Sequence, residues 1–447
     1  MIFNWFIIFI LVSITILVLY FKKFRFIDAF VFFIPFNATV VLFTTGGTAI
    51  NLPFTLFFLA SISFVIRTLF SPKFSIPKNR ITVYSWLILL GLVIIISQVM
   101  PFIIDGKYNV LERYQKSVYW AEEVPLIPKT QWITQAGYFL IGLLVVFIIS
   151  YTYKSKEEII KLLKLIICGI TFMIFWGWYG SFSFFSGTPY PQLFNHIGMW
   201  EFGVAKEAFN GFPRMTSVSM EPSYFAQMLI PITPFFYWNS QIEKPLFFSK
   251  TFHKRMYVFS LISLLIAITT TGVLGFFLII GLLLINNIRF FSKRSKYFLI
   301  VIYSVVVIAS IFLMIKYLID VSGTYSGIER FKTVVYGFKY FLDYPILGLG
   351  WGVFPTFDFI VNLLVNFGLL GTIPFTILIY NILIKFMNRM KFSSKKNNYL
   401  YRAGIESFVL LLIVSQLSGF IYHSQYFWLY LGIAISIGSL ELKKGVK

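Results

Sequence analysis

Apolar runs of about 17 to 25 residues, the length that crosses a hydrocarbon core as one helix, recur from one end of the chain to the other. Short polar or basic stretches separate them. The pattern predicts spans near residues 4–21, 26–43, 52–70, 81–100, 131–153 and 159–180. The second half adds runs near 223–239, 256–287, 297–317, 359–387, 403–422 and 426–440. The run from Met256 to Asn287 is too long for one straight helix, and Thr269, Thr270, Thr271 and Gly272 interrupt it, so it reads as two spans joined by a tight external turn. The expectation is thirteen spans, with twelve or fourteen as the bracket, in a single all-α polytopic membrane domain over residues 1–447. The first run, Trp5 to Tyr20, is followed at once by Lys22 and Lys23 and reads as a retained span entering from outside.

Composition agrees with that class: 58% of the 447 residues are hydrophobic and 12% are charged, with a mean hydropathy of +0.82. The net charge of +21 would point to nucleic acid in a soluble protein, but its placement changes the reading. Basic residues cluster in alternate loops, among them Lys22, Lys23 and Arg25, then Lys154, Lys156, Lys161 and Lys164, then Lys250, Lys254 and Arg255, and finally Lys443, Lys444 and Lys447. Short basic loops are held on the cytoplasmic side, where they meet anionic lipid, so the charge sets topology and no nucleic-acid partner is expected.

Three longer segments then fall on the external face, near 101–131, 181–222 and 318–358. Arg214 and Arg330 lie in them, against the positive-inside gradient. The second segment ends in Arg214, then Glu221, Pro222 and Ser223 at the mouth of an apolar run. The plain reading of that triplet is a helix start, because proline suits the first turn and a carboxylate suits a helix amino terminus. The third runs from Asp343 through Gly348, Leu349, Gly350, Trp351 and Gly352 to Phe354. Its alternating glycines read either as a turn packed on the membrane surface or as a floor under a flat substrate, with Trp351, Tyr325 and Tyr336 as sugar-stacking candidates.

Elsewhere the chemistry is sparse. Cys168 is the single cysteine, and His196, His253 and His423 share no ligand spacing, so no metal site and no cofactor are expected. Asp28, Arg67, Lys316 and Glu406 lie within or near predicted spans and are expected to be paired or to snorkel.

Taken together, Arg214 followed by Glu-Pro-Ser, the Thr271–Gly272 pair between two spans, the Asp343–Phe354 stretch and Asn362 through Gly371 resemble the O-antigen polymerase and ligase superfamily, over roughly residues 130–440. The histidine that ligases of that superfamily carry before the glycine matching Gly368 falls here on Phe357, with Asp358 next, which favours the polymerase branch. The resemblance implies a helical membrane fold like that of the GT-C glycosyltransferases. It also implies a metal-independent glycosyltransferase of the bacterial cytoplasmic membrane, joining undecaprenyl-diphosphate-linked oligosaccharide repeats of a capsule, O-antigen or exopolysaccharide on the outer side. A chain-length regulator and a flippase of the same pathway are its implied partners. Arginine forks bind diphosphate, so Arg214 and Arg330 are the first candidates for holding the leaving group, with Lys332 and Lys339 behind them. Glu221, then Asp358, are candidates for accepting the acceptor hydroxyl's proton, with Trp351, Gly348, Gly350 and Tyr325 at the sugar. A ligase and a lipid-linked oligosaccharide flippase are the alternatives.

Overall fold

The computed structural model describes residues 2–21, 24–43, 49–70, 75–111, 123–191, 193–194, 208–209, 212–287, 304, 325–392, 395–416 and 421–440. Among these, six helices are long and apolar enough to cross a membrane, Leu52–Leu69, Lys78–Ile104, Thr130–Thr152, Lys156–Ser186, Thr270–Asn287 and Phe359–Lys391. Trp5–Tyr20 and Gln425–Gly438 are shorter apolar helices of the same kind. The chain is thus a predominantly helical, multi-pass membrane protein. The span expected near 297–317 lies outside the described residues.

In chain order the helices used below are α1 (Trp5–Tyr20), α2 (Phe26–Phe33), α3 (Leu52–Leu69), α4 (Ile81–Ser97), α5 (Met100–Ile104), α6 (Thr130–Thr152) and α7 (Lys156–Ser186). They continue as α8 (Pro222–Gln241), α9 (Lys250–Ile266), α10 (Thr270–Asn287), α11 (Tyr325–Asp343), α12 (Phe359–Phe392), α13 (Lys395–Ser415) and α14 (Gln425–Gly438). The long 256–287 run does split as its Thr-Thr-Thr-Gly interruption predicts. The turn between α9 and α10 puts Ile268 at φ +45°, and Thr269 Oγ1 accepts the Gly272 N–H at 2.8 Å.

Helix α8 lies at the centre. Nearly every residue from Phe225 to Ser240 is buried, and α9, α10 and α13 pack around it. A helix apolar on all sides is stable only when surrounded. Its internal Pro231 and Pro234 are tolerated for the same reason.

The crossing predicted for 26–43 is not one helix. Helix α2 stops at Phe33, two residues before Pro35, and the chain continues as an extended strand over Val40–Phe43 paired to Ala49–Asn51. Proline disfavours the helical conformation of the residue before it, which was the available signal. The freed Ala38 N–H is met inside the protein, donating to the Val218 carbonyl at 3.2 Å, and the Asn37 side-chain Oδ1 in turn accepts the Met220 N–H at 2.9 Å. Non-helical backbone at membrane depth is tolerated only when it is so covered.

The helices sort the charges to two ends. At one end Arg25, at the start of α2, and Lys161, on the first turns of α7, both grip Asp28, at 3.1 and 2.7 Å. Near them Asn79 Nδ2 donates to the Ser439 carbonyl at 2.6 Å and Lys385 Nζ to the Asn79 carbonyl at 2.8 Å. Glu406 accepts from Trp238 Nε1 and from Asn286 Nδ2, each at 2.9 Å. Asp28 is therefore ion-paired, whereas Glu406 is held by two neutral donors and by no ion pair among the described residues. The opposite end collects the starts of α6, α8, α12 and α14 and carries every described candidate residue.

Candidate functional site

At that opposite end the first and third long segments fold together over the bundle. The Asn109–Leu111 and Glu123–Pro125 strands form a hairpin, and α11 lies on it. Tyr340 Oη accepts the Leu111 N–H at 2.8 Å, and Tyr108 donates its hydroxyl to Asp343. Burial, and the Asp343 carboxylate beside it, push the Tyr108 pKa up and keep it a donor. A separate small core of Ile104, Val110, Leu126, Tyr340, Leu349 and Phe354 holds this cap together.

The glycine-rich segment is laced into α12. Helix α12 breaks at Gly368, whose φ/ψ of 58/−160° only glycine adopts readily. Into that break run three backbone bonds: Leu349 N–H to the Val365 carbonyl at 2.8 Å, Leu369 N–H to Pro345 at 2.8 Å, and Leu370 N–H to Ile346 at 3.0 Å. Asn366 completes the lacing, with Oδ1 accepting from Phe354 N–H at 3.0 Å and Nδ2 donating back to the Phe354 carbonyl at 2.9 Å. Gly348 and Gly350 are thus close-packed backbone, and the reading as a packed turn describes them better than an open floor does.

Trp351 also departs from the expectation of a sugar-stacking face. Only 2% of it is exposed. Its indole N–H donates to the Gln135 carbonyl at 3.2 Å, and its ring meets Phe367 at 4.6 Å and Phe139 at 4.7 Å. An aromatic in this segment has more to gain from burial than from waiting for a ligand.

Beneath the cap lies a cavity of about 100 Å³ whose polar lining includes Lys129, Gln131, Gln135, Asn362 and His423. Gln135 Oε1 is buried and accepts no hydrogen bond, so it faces the cavity as an acceptor in need of a hydroxyl or water. His423 sits on a short 3₁₀ turn, Ile421–His423, between α13 and α14. Burial lowers its pKa to about 4, so the imidazole is neutral at pH 7. The unfolded value is near 6.5, so the unfolded chain binds this proton first. Stability from the neutral ring is complete above about pH 6.5 and is lost as pH falls toward 4. The thermal midpoint of the purified protein is expected to drop between pH 7 and 4.5, and a His423→Gln protein to lose that part of the drop.

The two carboxylates differ in how they are spent. Asp358 Oδ1 accepts the Val361 N–H at 2.9 Å and so caps α12. Glu221 stands at the N-cap position of α8 without capping it. It is exposed, accepts from Ser223 Oγ at 3.1 Å, and its charge reaches Tyr224 and Tyr426. Those rings meet at 6.4 Å, which packs the start of α8 against the start of α14.

Arg214 is half-buried just before a tight turn, Met215 to Ser219, that is buried throughout. That stretch is pinned by Ser217 Oγ donating to the Met173 carbonyl at 2.5 Å. Lys339 is exposed and pairs with Glu123 at 3.4 Å, away from the cavity lining. Lys332 and Tyr336 lie on α11. Tyr325 and Arg330 begin the same helix, their side chains outside the described residues. Gln135 and His423 escape a sequence reading because neither has a motif. The available signal for His423 is its place in a short turn between two spans, on the same side as the long segments.

Among the described residues no three His, Cys, Asp or Glu side chains converge as a metal site would require. Compared with known proteins, the chain matches no family model and no curated sequence.

Proposed function

We propose that this protein lengthens a surface polysaccharide by joining oligosaccharide repeats carried on undecaprenyl diphosphate, at the outer side of a bacterial cytoplasmic membrane. The observation that carries this reading is a cavity lined by His423 and by Gln135, whose Oε1 has no hydrogen-bond partner among the described residues, at the end of the bundle where Glu221 opens α8, opposite the basic end. By the positive-inside rule the basic end is cytoplasmic, which makes this end external. Twelve to fourteen spans and a GT-C-like architecture belong to the same reading.

In the reaction, the hydroxyl oxygen of the acceptor repeat attacks the anomeric carbon of the donor sugar. The bond from that carbon to the diphosphate oxygen breaks, and the lipid diphosphate leaves with the electron pair. The hydroxyl proton passes to Glu221 or to neutral His423. Arg214 and Arg330 meet the charge on the leaving diphosphate, a role that fixed guanidinium forks perform without a bound metal. Neither a nucleotide sugar nor a cofactor enters this scheme.

The test is elongation of a synthetic undecaprenyl diphosphate repeat by purified Arg214→Lys and Arg330→Lys proteins inserted at normal level. Lysine keeps the charge and removes the fork, so elongation is expected to fall about tenfold or more in each. Unchanged elongation in both removes the arginines from the mechanism. Leaflet-to-leaflet movement of the repeat without elongation selects a flippase instead.

One observation favours a second reading. His423 and Asn362 both line the cavity, so a histidine is present there although Phe357 stands eleven residues before Gly368, and a ligase that hands finished glycan to an acceptor would use one. A deletion strain separates the two: loss of a polymerase leaves single repeats on the acceptor, whereas loss of a ligase leaves long chains on the carrier.

A further inference from the structure

A second cavity lies at the other end of the molecule, about 260 Å³ between the start of α2 and the last turns of α3 and α6. Arg25, Arg67 and Lys154 stand on its lining. Arg25 is already spent, because Nε and Nη2 bond the two Asp28 oxygens at 3.2 and 3.1 Å and Nη1 faces Glu158 at 3.8 Å. Arg67 and Lys154 differ. Both are exposed, and no carboxylate lies within ion-pair distance of either among the described residues. Lys154 Nζ sits only over the Tyr151 ring, at 5.1 Å.

Two hydroxyls add to the picture. Ser61 and Thr68 on α3 each donate to the carbonyl four residues back, at 2.9 and 2.8 Å. Ser63, between them in sequence and on the cavity lining, makes no such bond. Thr152 on α6 lines the same cavity and likewise has no bond among the described residues. Phe64, Ala60, Ile27 and Ile148 form apolar wall.

We infer that this cavity binds a phosphate-bearing anionic headgroup, gripped by Arg67 and Lys154 and by the Ser63 and Thr152 hydroxyls. Two cations with no carboxylate partner among the described residues, two open donors and a neighbouring apolar wall match a phosphodiester with its glycerol and acyl stem. A soluble phosphate would use the cations and hydroxyls and leave the wall idle. The site is distinct from the glycan-transfer reading, which concerns the opposite end, and stands or falls without it.

The experiment uses the full chain in detergent, with thermal midpoints measured against short-chain phosphatidylglycerol, short-chain phosphatidylcholine and inorganic phosphate. Phosphatidylglycerol is expected to raise the midpoint saturably and phosphatidylcholine not to. An Arg67→Gln/Lys154→Gln protein is expected to bind phosphatidylglycerol at least tenfold more weakly. A Lys250→Gln/Lys254→Gln protein, with the same loss of charge away from the cavity, is expected to bind as the parent does. A response to inorganic phosphate alone assigns the site to a soluble phosphate and overturns the lipid source. Equal weakening in both double variants, or no saturable response in the parent, overturns the site itself.

Discussion

A chain in which Gly348 is replaced by alanine is expected to accumulate in the membrane at a small fraction of the parent level and to melt well below it. Gly348 has φ +67°, and an added Cβ would stand 2.4 Å from the Val365 carbonyl oxygen and 2.9 Å from the Gly368 nitrogen. Both obstacles are backbone, so no side chain can turn aside to make room. Left-handed conformation costs a residue with a Cβ roughly 1–2 kcal/mol, and overpacking a fixed interior adds about 1–3 kcal/mol. The sum, about 2–5 kcal/mol, is a large part of what keeps a domain folded. Gly368→Ala should behave alike, because its Cβ would meet the Ile346 carbonyl at 2.3 Å. Fluorescence-detected gel filtration of detergent extracts checks both. A normal monodisperse yield for either variant would show that the glycine segment is not bound into the α12 break as described.

The second large effect belongs to Asp28. It is fully buried, and its two oxygens hold the Arg25 fork, Lys161 Nζ at 2.7 Å and the Tyr153 hydroxyl at 2.6 Å. Asp28→Asn keeps the shape but removes the charge, leaving two cations facing a neutral amide. Breaking a buried pair from one side costs about 3–5 kcal/mol, more than the pair contributes against an apolar replacement. The expected result is a strong loss of thermal stability in Asp28→Asn, with partial recovery when Arg25→Met is added, since that second change removes one of the stranded charges. Additive losses in the double variant would mean that Arg25 and Asp28 do not act as a unit.

The parts of this molecule that could be read from the sequence are those governed by local length and charge. Helix spans follow from apolar runs, and the α9–α10 turn from four consecutive small or polar residues inside one run. Asp28 was expected to be paired or to snorkel simply because a membrane leaves a charge little choice, and it is paired. What could not be read depends on contacts distant in sequence. Trp351 looks like an open aromatic until Gln98, 253 residues away, donates to its carbonyl and Phe139 closes on its ring. The cavity lining comes from α6, the glycine segment, α12 and the turn before α14, and no spacing rule links Gln135 to His423. The 26–43 crossing went astray for a different reason: its hydropathy suits a full span, and Pro35 alone argues against a continuous helix.

That interrupted crossing bears on the order in which the protein can be made. The Val218 carbonyl that accepts the Ala38 N–H lies 180 residues further along the chain. At a synthesis rate of about 5–20 residues per second, the partner appears roughly ten to forty seconds later. Until then the turn after α2 has backbone groups that lipid cannot satisfy, each costing several kcal/mol. The amino-terminal third therefore has to wait beside the insertion machinery, or in the shelter of a chaperone, for α7 and α8 to arrive. Ribosomes stalled between residues 100 and 200 should hold a nascent chain whose second crossing is still open to water-soluble thiol reagents at an engineered cysteine, and that accessibility should vanish once residue 220 has emerged.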